Sequence, residues 1–272
     1  MDGNFGKTIV PFPFDSHHNP EAIEYGKLSI ADRIAQIKDD LTADERAAVE
    51  AFLLLCSGGT TDNSSFLDFL RWWAAGGHNY TTLMDTLITF KFRCGQSGFA
   101  LRFFQEALDS KKLMYAFDSP VAQVDDYGDT VTVTCRDGKK FTAKRVICTV
   151  PLNVLNNVKF NPPLNAAKRD AANLGHVNQC VKVHAEIKNR EMRSWGGVAY
   201  PHNKLIYGIG DGETPAGNTH CVFFGADANH IQPEENIEET IKALKTFAPM
   251  EIERVVSESP LSKPLLTTPD LP

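Results

Sequence analysis

The hydrophobic residues of this 272-residue chain change their spacing once, near residue 113, and this change limits the fold to one with both helices and sheets. In residues 28–112 apolar side chains recur at helical intervals, separated by short links rich in glycine, asparagine and serine. From residue 113 onwards, short runs alternate between apolar and polar residues, as strands do. The sequence therefore predicts an α/β chain of the α+β type.

Two predicted helices begin at helix-start motifs, at Ser29 with Asp32 and at Thr42 with Glu45, and the second of these is a capping box. In this motif the first side chain accepts a hydrogen bond from the third helical amide, and the carboxylate there returns one. Beyond residue 113, further helices are predicted at residues 164–174 and 235–246. Strands are predicted near residues 177–187, 197–200, 204–209, 220–225 and 252–257.

A hairpin is predicted around Asp137 and Gly138, since both residue types tolerate the positive φ of a tight turn. One strand precedes the turn at residues 130–135. The returning strand is predicted over residues 141–148, which end in a continuous apolar run.

Composition excludes some classes of protein. The net charge is −6 and no basic block occurs, so nucleic-acid binding is not expected. No apolar run approaches the roughly 18 residues of a membrane helix. The polar N-terminus is unlike a signal peptide, and the six cysteines form no C-x-x-C pair. We expect free, buried thiols and an intracellular location, cytoplasmic or peroxisomal, with any targeting signal outside this sequence.

The run GIGDG at residues 208–212 resembles a nucleotide-binding loop but does not complete one, because Glu213 stands where the third glycine of G-x-G-x-x-G belongs. The residues that follow predict a turn into another strand. We interpret this run as part of a hairpin. No paired ligands that would predict a metal site occur either.

A lysine interrupts the strand predicted at residues 180–187. Alternation places Lys182, His184 and Glu186 on one face and the apolar residues on the other. These three residues form either a polar face exposed to solvent or one side of a cavity. In the second case the lysine could steer a proton or a water molecule.

Four runs occur in an order that resembles the flavin-containing monoamine oxidases. They are FRCGQS at 92–97, SPV at 119–121, VICTVP at 146–151 and FNPPL at 160–164. Two more, NKLIYGIGDG at 203–212 and DANHIQP at 227–233, resemble fungal members of that family.

The resemblance implies a substrate domain with a mixed sheet and flanking helices, plus part of an FAD-binding domain. Residues 1–112 would be the helical part of the substrate domain and residues 113–163 the FAD-domain strands. Residues 164–259 would complete the substrate domain, and residues 260–272 would be a truncated end. The family's glycine-rich loop precedes the matched residues, and further FAD and substrate contacts follow them. The chain is therefore expected to be an internal fragment.

The resemblance also implies contacts with the cofactor FAD. The backbone of Val121 would bind the adenine, and Thr149 and Val150 would lie at the strand end that approaches the cofactor. Lys182 would hold a water molecule against the flavin, with Gln179 as the rival alignment.

Four further positions would line the substrate pocket by resemblance: Ile88, Gln96, Asn178 and Phe224. Core or strand packing is the alternative for each of them.

The implied activity is flavin-dependent oxidation of an amine to an imine, which water hydrolyses, with dioxygen reduced to hydrogen peroxide. The partners would be a small amine and dioxygen, and a homo-oligomer is compatible with the sequence. One alternative is a catalytically silent remnant or binding module. Another is a polyamine or L-amino-acid oxidase, the latter needing an arginine for the carboxylate, a role that the sequence does not assign to Arg71, Arg93 or Arg102.

Overall fold

The computed structural model describes residues 6–176, 180–226, 231–248 and 250–258. The chain forms two compact units. Unit 1 consists of Met1–Phe90 together with Asn178–Pro272, and unit 2 consists of Lys91–Val177.

Unit 1 begins with five helices. They are α1 (Ala22–Gly26), α2 (Ile30–Ile37), α3 (Ala43–Ser57), α4 (Phe66–Ala75) and α5 (Tyr80–Met84), the last continued by a π-helical turn at Asp85–Thr89.

The predicted capping box at Thr42 is confirmed, and the helix start predicted at Ser29 also forms a capping box. The Asp32 amide donates to Ser29 Oγ at 3.0 Å, and the Ser29 amide donates to Asp32 Oδ2 at 2.9 Å. Thr42 and Glu45 repeat the exchange at the start of α3. The amide of the capping residue, together with its hydroxyl, holds the pKa of each carboxyl below its usual value.

The second part of unit 1 is a five-stranded sheet with one helix. Its elements are β5 (Val181–Ile187), β6 (Gly196–Val198), β7 (Leu205–Glu213), β8 (Thr219–Gly225), β9 (Ile252–Glu258) and α8 (Ile237–Phe247). The strand order is β6-β7-β8-β5-β9, and every pair is antiparallel.

The two faces of this sheet differ in burial. One face packs on α8 and forms the largest core cluster, in which Val183, Phe223 and Leu244 are fully buried. Burial alternates along β5, so Lys182 and its polar neighbours lie half-buried on the other face, as predicted. That second face lies toward the helices, because Leu54 of α3 packs on Ile206 of β7.

Unit 2 combines two helices with a four-stranded sheet. The elements are α6 (Gly95–Asp109), β1 (Val121–Asp126), β2 (Val131–Cys135), β3 (Lys140–Ala143), β4 (Lys159–Asn161) and α7 (Ala166–Leu174). The strand order is β3-β2-β1-β4, with β1 and β4 parallel and the other pairs antiparallel.

The predicted hairpin is present, with one difference at the turn. Gly138 has a φ of +86°, but Asp137 is not among the residues with positive φ. The Asp137 carboxylate instead accepts the Lys139 amide at 3.0 Å. This local hydrogen bond stabilises the turn without a second left-handed residue.

The returning strand is shorter than predicted. β3 ends at Ala143, which is opposite Val131, the first residue of β2. Beyond that pair β2 offers no backbone partner, so the prediction of a strand as far as residue 148 was wrong. Ile147 is 90% exposed as a result.

The predicted combination of sheets and flanking helices is confirmed. Mixed strand directions occur in the sheet of unit 2, whereas the five-stranded sheet is antiparallel. The assignment of residues 1–112, 113–163 and 164–259 to substrate and FAD domains stays a prediction. Within the described ranges, no helix has the length and apolar character needed to cross a membrane.

All six cysteines are free, as expected, but their burial was only partly anticipated. Cys135 and Cys221 are buried, whereas Cys94, Cys148 and Cys180 are exposed. Cys94 and Cys148 lie in segments of unit 2 whose neighbouring residues are exposed as well. Burial raises the pKa of the Cys221 thiol to about 12, which keeps it protonated.

Candidate functional site

A cavity of about 680 Å³ lies in unit 1 between the helices and the half-buried face of the sheet. This volume is in the range of small-molecule sites. Its walls are mainly apolar and include six aromatic rings, from Phe52, Phe66, Phe69, Trp73, Tyr80 and Tyr207.

The spacing of residues on α4 explains the aromatic wall. Phe66, Phe69 and Trp73 are three and four residues apart, so they lie on one side of the helix. The ring centroids of Phe66 and Phe69 are 6.2 Å apart, as are those of Phe69 and Trp73. Phe52 of α3 lies 6.0 Å from Phe69 and 5.5 Å from Tyr80. These contacts fix the shape of the wall before any ligand enters.

The floor of the cavity is β6, which contributes two successive glycines. Only Gly196 leaves space on the cavity side, because a Cβ on Gly197 would point toward Trp195 and Phe247 in the core. A Cβ on Gly196 would meet nothing closer than the Gly208 carbonyl oxygen at 3.9 Å. A Cβ on Gly197 would lie 2.4 Å from the Trp195 ring. Only the second glycine is therefore required by close packing.

Tyr207 connects the cavity to the predicted lysine. Phe224 is the direct partner of Tyr207 on one side and of Lys182 on the other, so all three share one sheet face. Lys182 Nζ lies 6.0 Å from the centre of the Phe224 ring. Burial, reinforced by Tyr80 and Cys56, raises the pKa of Tyr207, which therefore keeps its phenolic proton.

Of the predicted site residues, the structure thus brings Lys182 and Phe224 together. Sequence reasoning missed Tyr207, although it precedes the GIGDG run in a strand whose alternation puts it beside Phe224.

A polar row continues along the same face. His184 Nδ1 and His220 Nε2 are 2.8 Å apart in nearly parallel rings, and His220 Nδ1 lies 3.1 Å from Asp211 Oδ2. Next to them, Asn218 and then Thr214 donate hydrogen bonds to Glu186 and lower the pKa of its carboxyl. These interactions connect the β7–β8 turn to β5.

The remaining predicted pocket residues are not brought together. Ile88 is half-buried in the π-helical turn and does not line the cavity. Gln96 is exposed in the first turn of α6, in unit 2. Asn178 and Gln179 lie outside the described residues.

The predicted cofactor residues of unit 2 occupy an open strand edge and an exposed segment. Val121 begins β1 opposite Cys135, while the pairing of β1 with β4 starts only at Gln123. The backbone edge at Val121 is therefore not covered by β4. Thr149 and Val150 are exposed and follow no strand, so the predicted strand end there was wrong, because β3 loses its partner at Ala143.

These residues fit part of a flavin site. An uncovered strand edge suits a backbone contact to a planar ring, and the exposed segment around Val150 offers apolar surface. No G-x-G-x-x-G occurs in the sequence, so no such loop for the pyrophosphate is among its residues. The rejection of GIGDG is confirmed, because this run lies inside β7 and opens no helix.

No group of three or more histidine, cysteine, aspartate or glutamate side chains is arranged to hold a metal ion in the part of the chain that the structure describes.

The fold is that of the amine oxidases. The structure of putrescine oxidase bound to putrescine superposes with a TM-score of 0.72 at 18% identity, covering 93% of this chain and 58% of that one. Residues 21–262 match the family described as "Flavin containing amine oxidoreductase", and the chain belongs to that family. The resemblance found in the sequence is confirmed at the level of the family.

Two curated relatives show how much of the chain is shared. Nicotine dehydrogenase of Pseudomonas putida is 27% identical over 180 residues, which cover 66% of this chain and 36% of that protein. (S)-6-hydroxynicotine oxidase of Paenarthrobacter nicotinovorans is 34% identical over 71 residues, 26% of this chain and 17% of that protein. The matched part spans about a third of the first relative's length and less of the second's.

Proposed function

We propose that this chain forms the substrate-binding part of an FAD-dependent amine oxidase, which converts an amine to an imine that water hydrolyses to a carbonyl compound. The aromatic cavity beside the Lys182 face carries this proposal, together with membership of the family. The chain would supply the cavity walls and some of the cofactor contacts.

FAD is the cofactor that we propose. When bound, it would supply the two-electron oxidation of the amine at its α-carbon. The Val121 backbone would hold the adenine, Thr149 and Val150 would contact the cofactor, and Lys182 would hold a water molecule near its reactive edge.

The cavity itself favours the reactive form of the substrate. Its aromatic walls disfavour a charged ammonium group, because burying an ion without a partner costs free energy. A neutral amine has the nitrogen lone pair that imine formation needs. The walls also exclude water, and Tyr207 is a protonated hydroxyl at the sheet side of the cavity.

The substrate class and the electron acceptor follow from the resemblances. The runs at 203–212 and 227–233 resemble fungal monoamine oxidase N, so we propose a monoamine and, as acceptor, dioxygen, which would yield hydrogen peroxide. One relative is named a dehydrogenase and another an oxidase, so a peroxide assay is the measurement that separates the two acceptors. Free thiols suit a reducing compartment, and a cytoplasmic or peroxisomal enzyme is part of the proposal.

An absorbance experiment tests the proposal. The purified chain is incubated with FAD and passed through gel filtration, which also reports any homo-oligomer. We expect a retained flavin band that a primary amine bleaches without oxygen. Phe52→Trp should slow the bleaching by filling the cavity, while Phe14→Trp, on an exposed residue, should not.

A colourless product would favour a second candidate function, a binding module without catalysis. The observation behind this alternative is that the sequence contains no glycine-rich pyrophosphate loop.

A further inference from the structure

One charged residue lines the aromatic cavity. Arg33 of α2 contributes to the wall, with its guanidinium carbon 5.8 Å from the centre of the Phe66 ring. Arg33 Nη1 donates a hydrogen bond to Gln36 Oε1 at 2.9 Å. Its Nε is buried and has no hydrogen-bond partner among the described residues. Because that Nε is closed to solvent, a ligand in the cavity would meet the terminal guanidinium nitrogens of Arg33 rather than its Nε.

Three of the other arginines of unit 1 have a carboxylate beside them, and the remaining two, Arg190 and Arg254, are exposed. Arg46 lies 2.7 Å from Glu50, Arg71 lies 3.1 Å from Asp68, and Arg193 lies 3.0 Å from Glu213. Over the described ranges, Arg33 has no carboxylate within ion-pair distance. Of the described residues that line the cavity, Arg33 alone is charged.

An uncompensated charge in apolar surroundings is unfavourable unless something else pairs with it. A guanidinium presents a planar fork of N–H groups, which matches the two oxygens of a carboxylate.

We propose that the cavity binds a ligand with an apolar, aromatic-sized body that ends in a carboxylate, held by Arg33. This inference rests on the proposed function for its chemistry: the substrate would then be an amine that also carries a carboxylate. The aromatic wall contacts the body of the ligand and Arg33 fixes its acidic end.

The same residue argues against a polyamine. A second ammonium group of a diamine would meet the like charge of Arg33 in surroundings of low dielectric, where repulsion is strong. No acidic side chain lines the cavity, among the described residues, to offset that repulsion. An amino-acid-like substrate is therefore preferred over a polyamine.

A binding experiment tests the site without catalysis. Hydrocinnamate and its neutral amide, hydrocinnamamide, share one shape and differ in charge. Titration of the purified chain by calorimetry, with tryptophan fluorescence as a second signal, should show at least ~10-fold tighter binding of the carboxylate. Equal affinity of the two compounds would overturn the proposal.

Variants connect that preference to Arg33. Arg33→Gln should remove the preference, while Arg33→Lys should keep part of it, since the charge remains but the fork is lost. Arg71→Gln is the matched control, because Arg71 does not line the cavity and should retain the full preference. Thermal melts check the folding of each variant, and the comparison of the two compounds on the unaltered chain needs no variant. If Arg33→Gln still bound the carboxylate more tightly than the amide, another residue would be responsible for the preference, and the proposal would be overturned.

A second pair of compounds separates this inference from the proposed function. Phenylalanine and phenethylamine differ only by the carboxylate, and both are amines. Bleaching of bound flavin by phenethylamine, with equal binding of hydrocinnamate and its amide, would support oxidation and overturn the carboxylate site. Arg33-dependent binding of hydrocinnamate with no bleaching by either amine would support the site and overturn the oxidation.

Discussion

The two units of this chain handle their apolar residues in opposite ways. Among its described residues, unit 1 contains four buried clusters, and the largest closes the sheet against α8. In unit 2 the buried apolar residues are Val131, Cys135 and Ala172, while Met114 is 96% exposed and Phe103 60% exposed. Helix α6 buries none of its fifteen residues. Secondary structure can therefore be regular in a unit that has little core of its own.

This difference shows where stability and specificity reside. Burial of apolar surface is the main favourable term in folding, and it is concentrated in unit 1 together with the cavity. An exposed apolar surface such as that of unit 2 marks contact with other groups rather than a closed core. The following tests would break or sharpen the comparison.

The largest effect should come from truncating matched phenylalanines in the two units. Phe223→Ala removes a fully buried ring from the core and should destabilise the chain by about 3–5 kcal/mol. Phe103→Ala removes an exposed ring and should cost less than about 0.5 kcal/mol. Urea denaturation measures both. Equal losses would show that unit 2 has a core that its exposed rings do not reveal.

Hydrogen exchange should separate the units next. Amides of β5 and β8 should exchange only on global opening, whereas those of α6 should open with a free energy lower by about 2 kcal/mol or more. Mass spectrometry of peptides from both units gives the comparison within one sample. Equal protection of α6 and β5 would contradict the difference.

Loss of a helix cap should have a medium effect. Thr42→Ala removes the hydroxyl that accepts the Glu45 amide and should cost about 1 kcal/mol. Cys94, at the start of α6, makes no capping hydrogen bond, so Cys94→Ala should change stability by a few tenths. Chemical denaturation of both variants gives the values, and a similar loss in the two would mean that capping does not distinguish the units.

Removing the charge of Arg33 should produce a small gain. Arg33→Met eliminates a buried donor without a partner and should stabilise the unliganded chain by up to about 1 kcal/mol. The thermal midpoint would then rise while hydrocinnamate binding is lost. A large drop in the midpoint would instead show that Arg33 is needed for packing.

The smallest expected effect concerns pH. The pKa of Glu45 is lowered in the folded chain, chiefly by the Thr42 amide, from an ordinary value of 4.5. The carboxylate therefore adds stability above that value, and the contribution is lost as pH falls through the lower folded pKa. Glu45→Gln should reduce the loss of stability at acid pH and leave the pH dependence of stability near neutral pH unchanged. Denaturation at several pH values measures both. An unchanged acid slope would assign the loss to other carboxyls.

Local features of the fold could be predicted from the sequence, while features that depend on distant partners could not. The capping boxes involve residues three apart, and the alternation of β5 fixes which face Lys182 shares. The end of β3 depends on Val131, which lies on another strand. A prediction from apolar character alone therefore placed the end of β3 too late in the sequence.

The cavity shows the same limit. Arg33 lies beside Ile30, Ile34 and Ile37 on the apolar side of α2, and this interruption was a signal available in the sequence. Its meaning depended on α4 and β7 meeting that side of the helix, which no local pattern encodes. The sequence alone assigns no carboxylate-binding role to Arg71, which in the structure pairs with Asp68 on the surface.

The glycine floor makes some changes to the cavity accessible to evolution and others inaccessible. Any side chain at Gly197 would displace Trp195, whose ring packs 5.9 Å from Phe223 in the core. Gly196 has room for a methyl group, and the aromatic wall can change one ring at a time. Relatives that diverge in substrate should therefore differ at Gly196 and along the helices, while Gly197 and Trp195 change together or remain as they are.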